Sequence, residues 1–134
     1  MMEAAWDPQP ETGIDVIDAQ HRTLLDMMND LAEAFRAGRA ADQARECLAL
    51  LAQHGGEHFQ TEERFMWAMG DPDLAAHRVE HAQLTQRLQE LRARQGRGYL
   101  VTAELATLVA DWRQHHLHGA DQAFLRFTKT VFRG

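Results

Sequence analysis

His58 and Glu62 stand four residues apart, and so do His77 and His81. Residues at that spacing lie one turn apart on the same face of an α-helix, so each pair can aim two ligating side chains at one spot. From Ile17 onward the chain is rich in Ala, Leu, Gln, Arg and Glu, all good helix formers, and strand signals are absent. The pairs are therefore read as sitting on helices, with their ligating groups turned towards a shared interior.

Apolar periodicity divides the chain. A first helix is expected from about Asp18, as N-cap, with Leu24, Leu25, Met28, Leu31 and Phe35 on one stripe and Gly38 at its end. A second is expected from about Asp42 to Met69, stopped by Gly70, with Gly55 and Gly56 as weak points inside it. Gly-Asp-Pro-Asp at 70–73 reads as a turn, with Asp71 as N-cap and Pro72 as the first helical residue of a third helix reaching about Arg94. Gly96 and Gly98 break the chain before a fourth helix from Thr102 to about Gly119, carrying Leu105, Leu108 and Trp112. A short fifth helix is expected over about Asp121 to Thr130. The reading is all-α: an up-down-up-down antiparallel four-helix bundle. It forms one domain over 1–134, with an N-terminal arm (1–17), the bundle (18–119) and a short C-terminal fifth helix (120–134).

The bulk chemistry excludes several classes. A net charge of −6 with scattered Lys and Arg opposes nucleic-acid binding and an anionic membrane surface. No run approaches the ~20 apolar residues of a membrane span, and no secretory leader is evident, so a cytoplasmic location is expected. One cysteine, Cys47, rules out a disulfide framework and reads as a small buried residue.

The remaining histidines complete a set. His21 lies on the apolar stripe of the first helix, and His116 lies one turn after Trp112. Asp121 follows His116 by five, a spacing that fits no face of a straight α-helix; Gly119 is expected to supply a break that turns Asp121 inward. His21, His58, Glu62, His77, His81, His116 and Asp121 are thus the candidate metal ligands. Seven are too many for one tetrahedral zinc and suit two metals sharing carboxylate bridges. A single histidine on a helix is more often an ordinary residue than a ligand; the two same-face pairs together with His21 reverse that. His54 is expected at the surface or behind the ligands. His115 and His118 should point away from the interior, and Glu63, Glu80 and Glu90 should lie on solvated faces. The methionines Met27, Met28, Met66 and Met69 read as core filler.

Together these segments resemble the hemerythrins, in their single-domain bacterial form. The resemblance is carried by Gly13 to His21 (GIDVIDAQH), His58 to Glu63 (HFQTEE), His77 to His81 (HRVEH), and Trp112 through His116 to Asp121, and it spans the chain from Trp6 to about Phe127. It implies two non-haem irons joined by an oxo or hydroxo bridge. His77, His81 and His116 would bind one iron, His21 and His58 the other, and Glu62 and Asp121 would bridge them. Dioxygen would take the open position on the iron with two histidines, in a pocket lined by Trp112, Arg113 and Leu117. Relatives commonly carry Leu where this chain has Arg113, whose guanidinium is expected to snorkel outward.

The function so implied is reversible dioxygen binding for transport, storage or delivery, by a monomer that is not an enzyme and that could hand oxygen to an oxygen-consuming enzyme. The alternatives are an oxygen or redox sensor, for which no output domain is evident, and a di-iron enzyme scavenging peroxide or nitric oxide, for which no general acid or base stands out. A bundle holding some other metal is a further alternative.

Overall fold

A computed structural model describes residues 12–132, apart from the side chains at 40, 42, 118 and 132. Among the described residues all regular structure is helical. Helix α1 spans Asp15–Arg36, α2 Ala40–Met69, α3 Leu74–Gly96 and α4 Thr102–Asp111; a π-helical segment, Trp112–Ala120, then leads directly into α5, Asp121–Phe132. Helix α1 packs on α2, α2 on α3, and α4 on both α2 and α3. No described helix is long and apolar enough to cross a membrane. The expected arm lies outside the described residues as far as residue 11.

Three expected boundaries move. Helix α1 begins at Asp15, three residues before Asp18. Asp18 is buried within the first turn, and its carboxylate accepts from the Thr12 N–H (2.9 Å), the Thr12 hydroxyl (2.8 Å) and the Gly13 N–H (3.1 Å). It ties down the chain that leads into the helix rather than capping the helix itself. Asp71 likewise is not the N-cap of α3. Its Oδ1 accepts from the Asp73 N–H at 2.9 Å, an Asx-turn that carries Pro72 and delays the helix to Leu74. The third change is the largest. Gly119 does not break the chain; α4, the π segment and α5 follow one another with no non-helical residue between them.

Helix ends at Gly38 and Gly70 follow from backbone chemistry. At Gly70 (φ 72°) the Asp71 N–H reaches the Met66 carbonyl (2.9 Å) and the Gly70 N–H the Trp67 carbonyl (3.2 Å), a Schellman ending that needs a left-handed residue. Gly38 (φ 74°) closes α1 by the same pair of bonds, to Ala34 and Phe35.

Among the described residues the core forms two apolar clusters. The larger joins Leu24, Met28, Leu48, Leu51, Leu84, Leu88, Leu105, Leu108 and Trp112; the smaller joins Ile14, Ile17, Met66 and Phe124. Several candidate ligands fall in sequence between members of the two: His21 between Ile17 and Leu24, Glu62 between Phe59 and Met66, His116 and Asp121 between Trp112 and Phe124. The polar layer is therefore sandwiched between apolar layers. Met28 and Met66 are buried in these clusters, and Met27 and Met69 pack against them. Cys47 is buried, and burial, with the charges of Asp30 and Glu46, pushes its thiol up to about 12, so it stays protonated and acts as filler.

Candidate metal centre

Each helix delivers its share of the layer by ordinary periodicity, except at the C-terminal end. Five residues advance an α-helix by roughly 500°, leaving His116 and Asp121 about 140° apart. The π segment, with its wider i→i+5 turn, brings them onto one side. His116 Nε2 and Asp121 Oδ1 are 3.2 Å apart.

All seven expected side chains come together, and all are buried. They form two groups that share both carboxylates. On one side, His77 Nε2 and His81 Nε2 meet Glu62 Oε1, the former in a very short contact and the latter at 3.1 Å; His77 and His116 meet Asp121 Oδ1 at 3.0 and 3.2 Å. On the other side, His58 Nε2 lies 3.3 Å from Glu62 Oε2, and His21 Nε2 lies 3.2 Å from Asp121 Oδ2. Each carboxylate thus offers one oxygen to a three-histidine group and the other to a two-histidine group.

These contacts do not satisfy the layer as a hydrogen-bond network. His58 Nε2 and Glu62 Oε2 are buried without a hydrogen-bond partner, each costing about 1–3 kcal/mol. His81 Nε2 and His116 Nε2 face one another at 3.0 Å, where two lone pairs would repel unless a proton or cation lies between them. Convergent nitrogens and paired carboxylate oxygens suit cations of intermediate hardness. The residues present therefore fit two metal ions.

Charge tells the same story. Burial alone would lower the pKa of His21, but its hydrogen bond to Asp121 and the negative charges of Asp121 and Glu62 outweigh it and raise the imidazole to about 10. His77 rises to about 9 and His116 to about 11 against the same burial penalty, and His58 rises too. Burial would raise Glu62 and Asp121, yet the surrounding imidazoles hold both well below the usual carboxylate range. Two buried negative charges demand positive charge beside them. Protons on the histidines supply it when no metal does, and metal binding must displace them.

Behind this layer stand residues not expected from the sequence. The Nδ1 of His58 is 3.0 Å from Gln20 Oε1, and Gln20 in turn donates to Thr61 (3.1 Å). The Nδ1 of His81 is 2.7 Å from Glu63 Oε2, whose other oxygen takes the Arg78 guanidinium at 3.3 Å. Donating Nδ1–H outward leaves the Nε2 lone pair facing the centre, the tautomer a metal needs. Glu63 is therefore only partly solvated: its side chain keeps a quarter of its exposure while its carboxylate turns to His81 and Arg78. Glu90 is exposed as expected, and Glu80 approaches His116 Nδ1 only to 3.7 Å. His54 is partly exposed and belongs to neither group; His115 is exposed, and the side chain of His118 lies outside the described residues.

Aromatic packing touches both groups, since Phe59 lies 6.3 Å from His58 as well as against His81. Phe59 stacks on His81 with ring centres 4.1 Å apart and 13° between planes, and Trp112 lies 5.3 Å from Phe59. Trp112 and Leu117 are fully buried, and Arg113 is partly exposed. Trp112 needs the gap at Gly55: a Cβ there would lie 2.6 Å from the tip of the indole.

Residues 12–127 match the model of the hemerythrin HHE cation-binding domain. The chain belongs to the hemerythrin family. It is 34% identical over 119 residues to a bacteriohemerythrin of Stenotrophomonas maltophilia, covering 89% of this chain and 77% of that one. It is 30% identical over 125 residues to the bacteriohemerythrin of Pseudomonas aeruginosa, covering 93% and 81%. It is 29% identical over 114 residues to that of Methylococcus capsulatus, covering 84% and 86%. No solved structure matches at a significant level. The cation-binding domain of this family and the two buried ligand groups agree in pointing to bound cations.

Proposed function

We propose that this hemerythrin-family protein holds two non-haem irons within an antiparallel up-down bundle and binds dioxygen reversibly for transport, storage or delivery. His77, His81 and His116 would hold one iron, His21 and His58 the other, with Glu62 and Asp121 bridging. The observation that carries this reading is the division of each carboxylate's two oxygens between a two-histidine and a three-histidine group. When bound, the irons supply the electrons and the open coordination position that reversible dioxygen binding needs.

The chain's own residues do the rest. Glu62 and Asp121 neutralise buried positive charge. Gln20 and Glu63 hold the rings of His58 and His81 in one orientation. The apolar layers on either side limit water entry, and Phe59, backed by Trp112, lies against His58 as well as His81. A pocket short of proton donors favours release of bound oxygen over cleavage of the O–O bond.

The test is reduction of the purified protein without oxygen, followed by air and then by oxygen removal. A coloured form that appears with air and disappears on degassing supports carriage. Direct oxidation without such a form, accompanied by peroxide turnover, favours a scavenging enzyme. Iron content other than about two per chain would sink the assignment.

A further inference from the structure

His116 is held differently from two of its neighbours. His58 and His81 are gripped from behind through Nδ1, by Gln20 and Glu63. His116 is 2% exposed, yet its Nδ1 has no hydrogen-bond partner. It also sits on the π segment, where the helical ladder is at its least regular. Its Nε2 faces the centre, so its Nδ1 faces the opposite way. There, a cavity of about 480 Å³ lies between α3 and the α4–π junction, with His116 in its wall and Glu80, Glu90, Arg87, Asp111 and His115 around it. Arg87 and Asp111 are paired at 3.2 Å and offset one another, which leaves Glu80 and Glu90 to give the cavity a net negative charge. Glu80 Oε1 lies 3.7 Å from His116 Nδ1.

We infer that this cavity is the loading vestibule of the centre, where Glu80 captures a hydrated divalent cation and the loosely held His116 lets it pass inward. The inference rests on the two-metal reading above. A cleft of one charge sign raises the local concentration of counter-ions and their rate of arrival. An imidazole without an outer hydrogen bond can swing without breaking one, so displacing His116 costs less than displacing His58 or His81. Inside, the imidazole nitrogens and carboxylate oxygens of the two groups would replace the ion's waters.

The test is the rate at which metal-free full-length protein takes up Co²⁺, followed by its visible absorption. Wild type should bind about two ions; failure to do so defeats the two-metal reading itself. Given that stoichiometry, Glu80→Gln with Glu90→Gln should slow uptake about tenfold at low salt, and the difference should shrink at high salt. The final number of ions should not change. Glu104→Gln, a carboxylate that pairs with Arg94 away from the cavity, should load at the wild-type rate. A second variant, Leu84→Trp, should narrow the cavity and slow uptake at any salt concentration. Wild-type loading rates in both the double and the Leu84 variants would overturn the inference.

Discussion

A methyl group added at Gly55 or at Gly56 should have opposite effects. Both residues lie in the middle of α2, and glycine there costs about 0.5–1 kcal/mol relative to alanine. At Gly56 nothing lies within 4 Å of an added Cβ, so the propensity gain is the whole effect. Gly56→Ala should stabilise the protein by that amount and raise Tm by roughly 2–5 °C. At Gly55 the Cβ would stand 2.6 Å from Cη2 and 3.2 Å from Cζ2 of Trp112. That indole is 0% exposed and backed by Phe59, so it cannot turn aside freely. Overpacking of this kind costs about 1–3 kcal/mol, which exceeds the propensity gain and leaves a net loss of about 1 kcal/mol. The displacement should also travel, because Phe59 stacks on His81. Thermal unfolding of both variants at matched metal content measures the first effect, and the absorption of the metal-loaded centre measures the second. Equal stabilisation by both substitutions, with the spectrum unchanged in both, would refute the wedge between Gly55 and Trp112.

Three further outcomes follow from the centre. In the metal-free protein, the depressed Glu62 and Asp121 contribute stability above their unfolded range near 4 that is lost as pH falls through their folded values, while His21, His77 and His116 contribute stability complete below about 6.5 and lost as pH rises towards 9–11. Urea midpoints of metal-free protein should therefore peak at mildly acidic pH, whereas metal affinity should climb with pH because binding displaces the same protons; parallel trends would count against this. Replacing Glu63 with Ala should weaken metal binding by about 10–100-fold, read by competition with a chelator, with secondary structure unchanged. Deleting Gln114, an exposed residue of the π segment, should restore an ordinary helical turn, carry Asp121 away from His116 and remove metal while circular dichroism stays helical; full metal content would show that the π turn is not needed.

Which parts of this molecule could be read from sequence depends on whether the relevant contact runs along a helix or across the space between helices. His58 with Glu62 and His77 with His81 were legible because a four-residue spacing is a property of one helix alone. His21 was legible because its neighbours at Ile17, Leu24 and Leu25 mark a stripe that must face inward, and the ending at Gly70 because no other residue adopts its backbone so cheaply. Gln20 and Glu63 gave no such signal. Each sits next to a ligand and so points about 100° away from it along its own helix; its partner is a histidine on a different helix, and only the packing of α1 on α2, or of α2 on α3, brings the two within 3.0 Å. Gly55 looked like a helix defect for the same reason: the indole that fills its place comes from a residue 57 positions later. The five-residue step from His116 to Asp121 is the instructive intermediate case. The spacing is legible and incompatible with an α-helix, but two remedies satisfy it, a break at Gly119 or a wider turn. A break would have freed backbone groups next to a buried charged layer, where unpaired polar groups are costly. The π segment keeps the helical ladder running and turns Asp121 inward in the same stroke, so the demand for a satisfied backbone beside the centre selects the remedy that the spacing alone left open.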